Sequence, residues 1–165
     1  MLIIGPRRRG HETLNAALNA QVGHELLNSH QYVAIAAYFE GECLFGLAKL
    51  FAKQGEHAMK FVKFILDAGG KLALPAVSAP QGEFKSVEHA AQLAYDSEVR
   101  TTRQIYDLVD LAAAEKNHIA TNFLQWFVAE QLEEVSSAGT RLSVIRRAGP
   151  SVLMVEAYLA HDGGK

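Results

Sequence analysis

Apolar residues recur at helical spacing through four long stretches of the chain. From Thr13 to about Glu42 the inward positions are Leu14, Leu18, Gln21, Glu25, Ser29, Tyr32, Ala36 and Phe39, with no proline and one internal glycine, Gly23. Gly41–Gly46 reads as a short turn, so the next helix should return antiparallel. That second helix is expected from about Leu44 to Ala68, with a stripe of Leu47, Leu50/Phe51, Gln54, His57/Ala58, Phe61 and Phe64/Ile65. Ser86 suits the N-cap of a third helix running to about Lys116, whose inner face is Ala91, Ala94, Glu98, Thr101/Thr102, Ile105, Leu108/Val109 and Ala112. Glu115–Ala120 is a short link to a fourth helix over Asn122–Ile145, which turns Leu124, Phe127, Val128, Gln131, Glu134/Val135, Ala138, Leu142 and Ile145 to one side.

Between the second and third helices, Gly69–Lys85 has glycines, prolines and no period. Extended, about 17 residues reach about 55 Å, whereas a 25-residue helix is about 38 Å long. Such a connection can travel the length of a bundle and leave the second and third helices parallel. Gly149-Pro150 ends the fourth helix, and Ser151–His161 is a short apolar helix with no bundle core left to fill, expected to pack on another subunit. The pattern therefore predicts an all-α four-helix bundle over 13–148. A tail, 1–12, precedes it; a short fifth helix and tail, 149–165, follow it.

Composition narrows the function. With 165 residues, 49% hydrophobic and 21% charged, the chain reads as one globular domain. A net charge of −2 gives no footprint for nucleic acid. One cysteine, Cys43, excludes an internal disulfide framework and a Cys-rich zinc site, and points to a reducing, cytoplasmic setting. Met1–Gly10 lacks the order of a signal peptide, Arg7–Arg9 reads as a solvated tail, and no apolar run is long enough to span a membrane.

The candidate chemistry lies on the apolar stripes. Glu25, Glu98 and Glu134 are carboxylates on three helices, Gln131 neighbours Glu134, and the second helix offers Gln54 and His57, three apart on one face. Burying an uncompensated charge costs several kcal/mol or more, so such groups need a cation, a proton or several donors. Taken singly, Glu134 could reach water from the stripe's edge, and His57 could be a satisfied core histidine. Together, three carboxylates and one imidazole suit iron or manganese, and zinc less well, in the manner of di-metal sites inside bundles.

The stretches LNAQVGHELLNSHQYVAIAAYFE (18–40), LAKLF (47–51), EHAMK (56–60), LPAVSAPQGEFKS (74–86) and NFLQWFVAEQLEE (122–134) resemble bacterial non-haem ferritins over nearly the whole chain. The resemblance implies a hollow homo-oligomeric shell of 24 subunits, oxidation of ferrous iron by oxygen or peroxide at a di-iron centre, and storage of ferric mineral. It places metal ligands at Glu25, Glu98 and Glu134, a nearby tyrosine at Tyr32, a glutamine at Gln131, and a third iron site at Glu130 and Glu133. Haem is not expected, because Gln131-x-x-Glu134 stands where haem-binding relatives carry a second Glu-x-x-His.

The second helix departs from the family. LAKLFAKQ passes straight to GEHAMK, about four residues are missing, and the bridging glutamate of the family's Glu-x-x-His goes with them. Matched from the right, the motif becomes Gln54-x-x-His57; matched from the left, the positions hold Ala58 and Phe61. A neutral amide at the bridge should weaken two-metal binding and slow oxidation. The expected function is iron storage and detoxification by a ferritin cage subunit with an impaired ferroxidase centre. The alternatives are a non-catalytic shell subunit that mineralises on interior carboxylates or co-assembles with an active one, and a bundle oxidase that forms no cage.

Overall fold

The computed structural model describes residues 13–52 and 56–161. It contains α1 (Leu14–Gly41), α2 (Phe45–Ala52), α3 (His57–Asp67), α4 (Val87–Ala114), α5 (His118–Ala148) and α6 (Leu153–His161). Local chemistry sets most of the ends. The side chains of Thr13, Ser86 and Asn117 accept from Ala16, His89 and Ala120 N–H, capping α1, α4 and α5. Gly149, at φ 51°, stops α5 in a conformation that favours glycine.

Two boundaries and one packing partner differ from the expectation. The described residues of the expected second helix, Leu44–Ala68, form α2 and α3 on either side of residues 53–55, which lie outside the described residues. The Glu115–Ala120 link is shorter than expected, since the Asn117 cap starts α5 at His118. The short C-terminal helix does find a place on its own chain. Val155 is buried in a cluster with Phe39, Leu47, Leu142 and Ile145, and Glu156 accepts from the N–H groups of Gly46 and Leu47 at 2.6 and 3.1 Å, capping α2.

The core has two apolar ends. One holds Leu14, Leu18 and Val22 of α1, Phe61 and Ile65 of α3, Ile105 and Leu108 of α4, and Leu124 and Phe127 of α5. The other holds Ile35 and Phe39 of α1, Leu47 and Phe51 of α2, Ala90 and Ala94 of α4, and Leu142 and Ile145 of α5. The order of these residues gives the topology: α1 and α5 run one way, and the α2–α3 arm and α4 run the other. The α3–α4 connection must therefore cross the bundle's length.

Side-chain amides of α1 hold that crossover. Asn15 and Asn19 bond the backbone of Lys71 and Ala73, and Gln31 both donates to and accepts from the backbone of Gln81. Gly23 lets Pro75 lie flat on α1; a Cβ there would stand 2.4 Å from the Pro75 ring. Among the described residues, no helix is long and apolar enough to cross a membrane.

Between the apolar ends runs a belt of buried polar side chains: Gln21, Glu25, Asn28, Ser97, Glu98, Thr101 and Gln131. Asn28 donates to Thr101 Oγ1 at 2.8 Å, locking α1 to α4 within the belt.

Candidate metal centre

The belt is where the predicted site residues meet. Glu25 and Glu98 are 6% and 4% exposed, so α1 and α4 each carry a carboxylate well inside the bundle. Burial alone would make such groups costly, and each is met by donors. Glu25 Oε1 accepts from Gln21 Nε2 at 2.8 Å. Glu98 accepts from the Tyr32 hydroxyl through Oε1, and Gln131 Nε2 lies 3.3 Å from its Oε2. Gln131 is further tied to the Glu98 carbonyl and to Thr102 Oγ1, both at 3.2 Å.

His57, the first residue of α3, faces the belt. Its Nδ1 lies 3.7 Å from Glu25 Oε2, and its Nε2 lies 3.8 Å from Glu130 Oε1 on α5. Donor atoms of His57, Glu130 and Glu134 lie within 4.8 Å of one another, with all three residues half-buried. Glu130 and Glu134 are one helical turn apart on α5, which puts both on the side facing α3. Phe127 and Trp126 present their rings edge-on to His57 and wall the imidazole.

The charges perturb one another. Burial raises the pKa of Glu98, the hydrogen bond from Tyr32 opposes that rise, and the charges of Glu134 and Glu25 add to it. Burial, followed by the charge of Glu98, holds Tyr32 well above the usual phenol range. His57 is raised, first by its contact with Glu25, against the lowering effect of its own burial. Excess negative charge packed around one imidazole is the setting in which a bound cation relieves repulsion.

Each expected site residue other than Gln54 has a place in the structure. Tyr32, Glu98 and Gln131 form one hydrogen-bonded group. Glu25, His57, Glu130 and Glu134 form a second, linked to the first through the charges of Glu25 and Glu134 on Glu98. Glu133 is exposed on α5 beside the cluster. Gln54 lies outside the described residues. On α3 it is His57 that meets the belt, whereas Phe61 is buried in the apolar end, stacked 4.2 Å from Phe127, and Ala58 is buried with it. Gln21 was placed on the inner stripe without a role; its position one turn before Glu25 on the same face was the signal.

A crossover four-helix bundle with a carboxylate- and imidazole-lined belt defines the class of bundle proteins that carry metal centres between their helices. The chain belongs to the ferritin family: residues 15–148 match the ferritin-like domain. It is 34% identical over 152 residues to the ferritin BfrB of Mycolicibacterium smegmatis, covering 90% of this chain and 84% of that protein. It is 34% identical over 142 residues to the bacterial non-heme ferritin of Staphylococcus aureus, covering 84% and 86%. Among solved structures, an open pore ferritin from the archaeon Archaeoglobus fulgidus superposes with a TM-score of 0.87 at 33% identity, covering 96% of this chain and 98% of that one.

Proposed function

We propose that this chain is an iron-storing subunit of a self-assembled cytoplasmic shell, and that it oxidises ferrous to ferric iron at a modified centre inside its bundle. The observation that carries the reading is the convergence on His57: Glu25 stands beside one ring nitrogen and Glu130 beside the other, with Glu134 in the same group. Iron is the substrate. Each ferrous ion gives one electron to dioxygen or peroxide and leaves as ferric iron for the stored mineral. Glu25, Glu98, Glu130 and Glu134 supply anionic oxygens that favour the more highly charged product, and His57 supplies a nitrogen. Tyr32 and Gln131 hold Glu98 in place, and Glu133 offers an exposed carboxylate on α5, next in sequence to Glu134. The shell follows the ferritin relatives, with 24 subunits as its expected size and the exposed Leu153, Met154 and Tyr158 of α6 as candidate contacts between copies.

The centre is impaired in this reading because the sequence carries an amide, Gln54, three positions before His57, where the family resemblance implies the bridging glutamate. Initial rates of ferric absorbance at matched protein and iron test it. Gln54→Glu should oxidise iron faster than wild type, and His57→Ala more slowly. Equal rates in all three would remove Gln54 and His57 from the centre. A second reading, a non-catalytic shell subunit, draws support from the place of His57 as the first residue of α3, at a helix end. It predicts iron uptake into the shell with no oxidation above the protein-free rate.

A further inference from the structure

The two fully buried carboxylates are each gripped by an amide. Gln131, where the family resemblance places a glutamine, serves Glu98. Gln21 serves Glu25, and nothing assigns it a part. Its side chain is 2% exposed, as deeply buried as that of Gln131. It sits one turn before Glu25 on α1, and its Nε2 donates to Glu25 Oε1 at 2.8 Å. Its own oxygen lies 3.4 Å from Nδ1 of His24, a surface residue, so the amide is held at both ends. The other oxygen of Glu25, Oε2, is the one that faces His57. The two oxygens of one carboxylate therefore have different surroundings.

We propose that Gln21 is a positioning residue that makes Glu25 a one-oxygen metal ligand, engaging Oε1 and aiming Oε2 at the space in front of His57. The inference rests on the reading that Glu25 takes a divalent cation. A carboxylate free of such a bond can rotate about its last torsion, which is broad and weakly restrained, and chelate an ion through both oxygens. With Oε1 engaged by an N–H donor, the group is pre-aimed and the cation binds without that rearrangement. Outer partners of this kind typically contribute ten- to a hundredfold to metal affinity. A purely structural role, in which Gln21 only satisfies its own buried amide, would leave the metal's coordination unchanged.

Cobalt(II) is the probe, because its visible absorption reports coordination number. The assembled, metal-free protein is titrated with cobalt(II) by calorimetry and by visible absorption, for wild type, Gln21→Met, Gln21→Leu and Glu25→Ala. Gln21→Met keeps the length and helix preference of the side chain and removes the donor; Gln21→Leu repeats the test with a different shape. Affinity should fall on the order of tenfold or more in both Gln21 variants, with a changed visible spectrum at saturation. Wild-type affinity and an unchanged spectrum in whichever Gln21 variant folds, alongside a clear loss in Glu25→Ala, would overturn the positioning role and leave the metal reading standing. No cobalt bound at the centre of wild type, or full binding by Glu25→Ala, would overturn the metal reading at Glu25 and this inference with it.

Discussion

His57 Nδ1 lies 3.7 Å from Glu25 Oε2, so the first residue of α3 meets a carboxylate in the middle of α1. That contact decides which residues of the shortened second arm can serve the centre. Residues 58 and 61 are occupied with core packing, and His57 alone on α3 supplies an imidazole to the belt.

The first prediction is a failed repair. Ala58→Glu with Phe61→His, which would rebuild a site in the left-hand match of the second helix, removes a ring stacked 4.2 Å from Phe127 and puts polar groups in its place. It should destabilise the metal-free protein by on the order of 3 kcal/mol, with no gain in metal binding. Urea unfolding and cobalt titration check both parts. Unchanged stability would mean that Phe61 is not the core residue described here.

The second prediction concerns pH. The folded pKa of Glu98 lies above its ordinary 4.5, and that of His57 above 6.5. Both groups hold their protons more tightly folded than unfolded. The sign is the same for both: their stabilisation is complete below the unfolded values and is lost as pH rises through the folded ones. Relative to Glu98→Gln, which keeps the shape and removes the charge, metal-free wild type should lose stability as pH is raised from 5 to about 8. Thermal midpoints of the two proteins across that range are the measurement; a difference that grows in wild type's favour would reverse the argument.

The third prediction concerns the C-terminal helix. The carboxylate of Glu156 caps α2 through the N–H groups of Gly46 and Leu47. Glu156→Ala should cost about 1–2 kcal/mol by loss of that cap. Truncation after residue 150 should lower the thermal midpoint further by uncovering Phe39, Leu47 and Ile145 around Val155. Differential scanning calorimetry of the two variants checks the order. A truncated chain as stable as the full one would return α6 to a role between subunits only.

The fourth prediction uses the crossover. Gly23→Ala improves helix propensity by about 1 kcal/mol but places a methyl 2.4 Å from the rigid Pro75 ring. The clash should win, with a net loss of roughly 1–2 kcal/mol. Gly23→Ala combined with Pro75→Ala should recover most of it, and additive losses in the double variant would argue against direct contact.

Much of the fold was legible because its signals are local and periodic. A stripe repeating every three to four residues, an N-cap at Ser86 and a long aperiodic run at Gly69–Lys85 determine four helical arms and a crossover without reference to any partner element. The buried carboxylates were legible too, since Glu25 and Glu98 stand on stripes that are otherwise apolar.

The tertiary structure decided what depends on distance between helices. Periodicity cannot tell whether His57 or Phe61 meets the belt, because four residues are close to one turn and keep the same face; in the fold His57 stands beside Glu25, and Phe61 stacks on Phe127. Nor can it show that Glu130 reaches His57, or that Glu156 returns to cap α2, 110 positions away in the chain. Sequence by itself determined the helices and the kind of chemistry they carry. Which oxygens and nitrogens meet was set by packing, where contacts of under 4 Å join residues that no local rule relates.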